Sequence, residues 1–104
     1  MNILFICSGN KLRSPTAEKV FKSDIINTKS AGTSKKAKKV VDSKDIKWAD
    51  TVYVMEEKHK QRLIAYFPNA VKYKEIVVLN IPDNYKYMDS NLVKILKEKK
   101  LNLH

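Results

Sequence analysis

The sequence holds one cysteine, Cys7. A single thiol excludes an internal disulfide framework and a zinc site built on several thiolates. It persists most easily in a reducing compartment. Long apolar runs are missing too. The N-terminus, Met1-Asn2-Ile3-Leu4-Phe5-Ile6, has no basic flank and only four successive apolar residues. That is too few for a signal peptide or a membrane span, so a cytoplasmic protein without a membrane segment is expected. Acidic residues are scarce: 11 Asp and Glu stand against 21 Lys and Arg, a net charge of +10, and only two of the basic residues are arginine. Such a balance attracts phosphorylated proteins, nucleotides or nucleic acid, or it is the solvated surface of a lysine-rich proteome. Nucleic acid is not expected as the partner, because the lysines lack the aromatic interleaving that base stacking uses. His59 has no companion histidine or carboxylate at ligand spacing, so no metal site is expected and the residue reads as a surface histidine.

What is present suits one globular domain. The chain has 104 residues, 43% of them hydrophobic, enough for a core without staples. Residues 2–6, apolar apart from Asn2, read as a strand buried on both faces of a parallel sheet. Gly9 and Asn10 break that run, and both tolerate the left-handed backbone of a tight loop. Ser14-Pro15 reads as a helix start, with serine at the N-cap and proline at the first helical position, and the helix extends to about residue 23. A second strand is expected over 25–30, closed by Ala31-Gly32. Residues 33–42, rich in lysine, read as a loop or a short solvated helix. Asp42 or Ser43 caps a short helix through Trp48. A third strand covers 51–55, and a helix runs from Glu56 to about Phe67 with Leu63, Ile64 and Phe67 inward, stopped by Pro68. A fourth strand covers 76–79, and a last helix spans about 90–99 with Leu92, Ile95 and Leu96 inward. Four strands alternating with helices imply right-handed crossovers and an α/β three-layer sandwich around a four-stranded parallel sheet covered on both faces, for which the order 2-1-3-4 is expected. Trp48 and Tyr53 read as core.

Ligands of open α/β sheets sit beyond the carboxyl ends of the strands, and Cys7 ends the first one. The residues after it wrap back to open a helix, so their N–H groups converge on one centre and form an anion nest at a helix N-terminus. Such a field favours a thiolate over a thiol. Arg13 offers a planar fork that grips two phosphate oxygens, and Ser14 is placed to hydrogen-bond the thiolate. A buried structural cysteine would explain neither Gly9-Asn10 nor Arg13.

The run Phe5-Ile6-Cys7-Ser8-Gly9-Asn10-Lys11-Leu12-Arg13-Ser14-Pro15-Thr16-Ala17-Glu18 resembles the signature of the low-molecular-weight protein tyrosine phosphatases. Ser30-Ala31-Gly32-Thr33 resembles the end of that family's second strand, and Trp48-Ala49-Asp50-Thr51-Val52-Tyr53-Val54-Met55 its third. The ending Leu79-Asn80-Ile81-Pro82-Asp83-Asn84-Tyr85 is similar to a short bacterial branch of predicted tyrosine phosphatases. The resemblance implies a hydrolase with a phosphocysteine intermediate, Cys7 as nucleophile, Arg13 on the phosphoryl group and an aspartate as general acid and then base. It implies no cofactor, a phosphorylated protein or other anionic phosphomonoester as substrate, and a monomer or weak dimer. Ser8, Gly9, Asn10, Lys11, Leu12 and Ser14 are the remaining loop residues expected around the phosphate. Asp83 is the expected acid and Asp89 the fallback. The family's Asp-Pro-Tyr is here Asp83-Asn84-Tyr85, without the proline. Tyr85 or Tyr87 could stack on an aromatic substrate or pack on the last helix. Two further departures are a shortened stretch between Gly32 and Asp50, which removes part of the cleft wall, and Leu12 where some members carry a shielding second cysteine.

Three other functions are set against this one. A phosphocysteine carrier also places a cysteine loop after a first parallel strand, but it needs neither Arg13 nor Asp83. A thioredoxin-coupled arsenate reductase needs further resolving cysteines. A phosphate-loop protein could also bind a phosphorylated partner without turning it over.

Overall fold

The computed structural model describes residues 1–99 and Leu101. Strands β1 (Asn2–Cys7), β2 (Asn27–Gly32), β3 (Thr51–Val54) and β4 (Glu75–Val78) form one parallel sheet in the order β2-β1-β3-β4. The helices are α1 (Arg13–Phe21), α2 (Ser43–Trp48), α3 (Glu57–Tyr66), α4 (Pro68–Val71) and α5 (Ser90–Glu98). This is the expected three-layer α/β architecture and the expected strand order. Among the described residues no helix is long and apolar enough to cross a membrane.

Successive side chains of a strand point to opposite faces of its sheet, and β1 is central, so both of its faces are buried. Ile3, Phe5 and Cys7 share a core with Ala17 of α1 and Leu92 and Leu96 of α5. Leu4 and Ile6 share the opposite core with Ile46 of α2 and Leu63 of α3. Phe5 stacks between Phe21 and Tyr53, with ring centroids 5.7 Å away on either side. The odd-numbered parity therefore aims Cys7 at the face that carries α1.

Several boundaries differ from expectation, each for a local reason. β2 starts at Asn27, where it pairs with Asn2, and continues through Ala31 and Gly32 opposite Ile6 and Cys7, while Ile25 is left exposed. Leu63 and Phe67 lie four residues apart on one face of α3. Ile64 is rotated away from that face and is exposed rather than inward. Pro68 does end α3, but it also opens α4, where its missing N–H would have been unpaired in any case. Residues 33–42 form a loop with one bridge between Gly32 and Val40. Asp42 caps α2 through a reciprocal pair with Asp45. Trp48 is half-buried against the α2–α3 core, beneath the Lys29 ammonium.

Candidate active site

The loop from Cys7 to Arg13 owes its shape to the segment beside it. The N–H groups of Thr33, Ser34 and Lys38 donate to the carbonyls of Cys7, Ser8 and Gly9, each at 3.0 Å. In a trans peptide the N–H points opposite to its carbonyl, and no peptide here is cis. The N–H groups of Ser8, Gly9 and Asn10 therefore face away from residues 33–38. Asn10 makes the turn at φ 54°, a left-handed conformation that asparagine tolerates. Gly32 lets the two segments touch: a Cβ there would stand 2.4 Å from the Ser8 carbonyl oxygen and 2.6 Å from the Ala37 methyl.

α1 begins two residues earlier than expected, at Arg13, with Leu12 at the N-cap and no side-chain cap. Ser14 is not the cap. Its hydroxyl lies inside the helix, 3.0 Å from Cys7 Sγ, and accepts from Asn10 Nδ2 at 3.0 Å. Its single proton then has two acceptors within reach, Sγ at 3.0 Å and the Ala31 carbonyl at 3.5 Å, and the shorter contact favours the sulfur. The chain of hydrogen bonds runs on outward: Asn10 Nδ2 also donates to Ser30 Oγ at 2.9 Å, and Ser30 donates to the Glu18 carboxylate. The uncapped N-terminus of α1 is left for an anion.

Arg13 is 2% exposed, so its charge needs partners. Nη1 donates to Glu56 Oε2 and to the Ile81 carbonyl, both at 2.8 Å, and Nε lies 3.6 Å from Asp83 Oδ1. Glu56 is held below its ordinary carboxylate range, first by its hydrogen bond to Arg13. Ile81 is in place because the chain after β4 still follows β3, with the Ile81 N–H on the Met55 carbonyl. The loop from 82 is tied down again where the Met88 N–H donates to Thr16 Oγ1 of α1 at 2.9 Å. Cys7, Gly9, Lys11, Leu12, Arg13 and Asp83 line one cavity of about 200 Å³. Five of these are loop residues, the sixth is the expected acid, and none comes from 33–50, the stretch that looked shortened.

Not every expected residue is at the cavity. Asp89 accepts from the N–H groups of Asn91 and Leu92 and caps α5. Tyr85 is partly buried against the core that α1 and α5 share and does not line the cavity. Of the lysines at 35–39, Lys39 pairs with Asp45 at 2.9 Å and Lys38 borders a groove beside Lys11.

His59 overturns the surface expectation: it is 1% exposed. The Glu56 N–H donates to Nδ1 at 3.0 Å, so the neutral ring carries its proton on Nε2 and donates it to Ser8 Oγ at 2.9 Å. Burial, with the charge of Arg13 adding, pushes its pKa down to about 4. The spacing Glu56-x-x-His59 is that of a capping box, which was the one local signal for this pair. Glu56, His59, Ser30 and Glu18 were not anticipated as part of the site. Among the described residues no group of three or more His, Cys, Asp or Glu is placed to hold a metal.

Residues 2–50 match the family described as "Low molecular weight phosphotyrosine protein phosphatase". No curated protein sequence matches the chain. Among solved structures, the YwlE arginine phosphatase from Geobacillus stearothermophilus superposes with a TM-score of 0.72 at 22% identity, covering 95% of this chain and 85% of that one. A low molecular weight protein tyrosine phosphatase from T. tengcongensis gives 0.74 at 24% identity, with 95% and 92% covered. The tyrosine phosphatase Wzb from Escherichia coli K30, in complex with phosphate, gives 0.73 at 21% identity, with 94% and 91% covered.

Proposed function

We propose that this chain, whose residues 2–50 match the low molecular weight phosphotyrosine phosphatase family and whose fold is similar to that of such a phosphatase, hydrolyses phosphomonoesters through a phosphocysteine, with phosphotyrosine in protein as its substrate. The observation that carries this is the cavity in which Cys7, the Arg13 guanidinium and Asp83 meet. The Cys7 thiolate attacks phosphorus opposite the phenolic oxygen. The S–P bond forms as the P–O bond breaks, and the Asp83 carboxyl gives its proton to the departing oxygen. Loop N–H groups and the Nε and Nη2 edge of Arg13 hold the phosphoryl oxygens. Asp83, now a carboxylate, takes a proton from a water that attacks phosphorus on the second step. The S–P bond breaks, inorganic phosphate leaves, and the Ser14 hydroxyl steadies the returning thiolate. A carrier would stop at the phosphocysteine and leaves Asp83 unexplained. With Leu12 rather than a second cysteine in the loop, nothing shields an oxidised Cys7, which suits the reducing cytoplasm.

The test is hydrolysis of an aryl phosphate and of a phosphotyrosyl peptide by wild type and Cys7→Ser. Turnover by the wild type alone is the expected result, and equal rates in both proteins overturn the proposal. A phosphocysteine that forms and does not turn over identifies a carrier. One of the fold neighbours is an arginine phosphatase, so a phosphoarginyl peptide belongs in the same panel. A higher kcat/KM on it replaces phosphotyrosine as the substrate class.

A further inference from the structure

We infer that the groove along α1 is a subsite for acidic residues flanking the phosphorylated residue of a polypeptide substrate, a deepening that rests on the phosphatase reading above. The groove is larger than the catalytic cavity, about 590 Å³. Its rim carries Lys11, Lys19, Lys22 and Lys38, with Tyr87 at one side. Lys11 borders the catalytic cavity as well, so the two spaces adjoin at that side chain. A polypeptide whose phosphorylated side chain is seated over Cys7 would therefore have its flanking residues within reach of the groove.

Charge is what the groove offers. All four lysines are exposed and none has a carboxylate partner among the described residues. The one acid in the lining, Glu18, is committed to Ser30. Lys19 lies in the last turn of α1 and Lys22 just beyond its end, while the Lys38 backbone is fixed to the nucleophile loop at Gly9. The positive rim therefore extends from the loop to the far end of α1. Nine residues of helix are about 13 Å long, room for about four residues of an extended chain. A peptide fits this better than a nucleic acid. A peptide can set its carboxylates against the lysines and a neutral residue against Glu18, whereas a nucleic acid brings a phosphate to every step and meets the Glu18 carboxylate unavoidably.

The experiment compares kcat/KM on two phosphotyrosyl peptides of equal length, one flanked by aspartate and glutamate and one by asparagine and glutamine. The wild type is expected to prefer the acidic peptide by about tenfold at low salt and by much less at high salt. In the combined variant Lys19→Gln, Lys22→Gln, Lys38→Gln that preference disappears, while hydrolysis of a small aryl phosphate stays unchanged. Equal rates on the two peptides in the wild type, or a preference that survives the variant, overturn the inference. So does an oligodeoxynucleotide that inhibits peptide hydrolysis more strongly than an unphosphorylated acidic peptide of matched charge. Fluorescence anisotropy of the labelled peptides with Cys7→Ser separates the two proposals. Charge-selective binding lost in the lysine variant supports the groove even if aryl phosphate is never turned over, and binding without charge selection sinks the groove alone.

Discussion

Arg13 Nε faces Asp83 Oδ1 across 3.6 Å, while Nη1 of the same guanidinium is tied to Glu56 and the Ile81 carbonyl. The fork is thus divided. One corner is anchored, and the free edge, the one a phosphate would take, is shared with the side chain proposed as the acid. A dianion arriving on that edge is expected to compete with the Asp83 carboxylate for it. Asp83 is 62% exposed in its side chain and is free to swing.

Replacing Asp83 by Asn is expected to have opposite effects on chemistry and on product affinity. With phenyl phosphate, whose leaving group must be protonated, kcat falls by about 10²–10⁴-fold. With a nitrophenyl ester, whose leaving group needs no proton, formation of the phosphocysteine is slowed much less and shows as a burst, while its hydrolysis still lacks the base. Inorganic phosphate binds more tightly, because a competing carboxylate has left the Arg13 edge. Steady-state rates on both esters and the inhibition constant of phosphate check this. Unchanged kcat on phenyl phosphate removes Asp83 from the proton transfer.

Glu56→Gln isolates the anchored corner. Arg13 keeps its charge and its burial but loses the carboxylate, which is expected to cost about 1–3 kcal/mol in urea unfolding at pH 7. The carboxyl of Glu56 is held below 4.5 in the folded chain, so its contribution is complete above pH 4.5 and fades as the pH falls through the lowered value. The gap between wild type and variant therefore narrows in acid. A gap that stays constant down to pH 3 would mean that the pair does not stabilise the fold through its charge.

His59 makes a different prediction because its neutral form is the one the fold wants. The folded pKa of about 4 lies below the ordinary 6.5, so between these values the unfolded chain binds a proton that the folded chain refuses. Stability is expected to fall from pH 6.5 toward 4, with a slope near pH 5 approaching about 1.4 kcal/mol per unit, the value of one proton. Glutamine can still accept from the Glu56 N–H and donate to Ser8 but does not titrate. His59→Gln should flatten that slope while retaining much of the activity, and His59→Ala should lose both contacts with Ser8 and Glu56 and lower kcat/KM. Denaturant unfolding across pH 5–7, with NMR titration of the imidazole, decides it.

The fold was legible where one local pattern answered to one force. The apolar stretch before Cys7, the Cys7–Arg13 loop and the alternation of strands with helices pointed to the parallel sheet and to the place of Cys7 at its edge. The rest depended on contacts between segments far apart in sequence. His59 sits on a helix of charged residues, and nothing nearby says that Ser8, 51 residues away, will bury it. A buried arginine requires a carboxylate, but choosing Glu56 among 11 acids requires knowing that the third strand ends beside the first. Ser14 has the residue type and position of an N-cap, and only the sulfur beneath it explains why the hydroxyl turned inward. Asp89, the fallback acid, is taken by a helix end instead, and nothing local to it says that it will cap α5.

Gly32 is where the fold constrains the chemistry most tightly, and Gly32→Ala tests that. Its backbone conformation is ordinary for any residue, since neither glycine has a positive φ, so the penalty comes from space alone. The added methyl meets two atoms too close, the Ser8 carbonyl oxygen and the Ala37 methyl. Overpacking of this kind is expected to cost about 1–3 kcal/mol, and to push Ser8 away from the Ser34 N–H that orients it. Pairing the change with Ala37→Gly removes the second clash and leaves the first. The double variant should therefore recover part of the stability but little of the activity, because Ser8 belongs to the loop whose N–H groups must converge. Urea midpoints and kcat/KM for the two single variants and the double variant separate these effects. If Ala37→Gly restores both in full, the loop yields at no cost, and the contact at Gly32 is packing without consequence for the site.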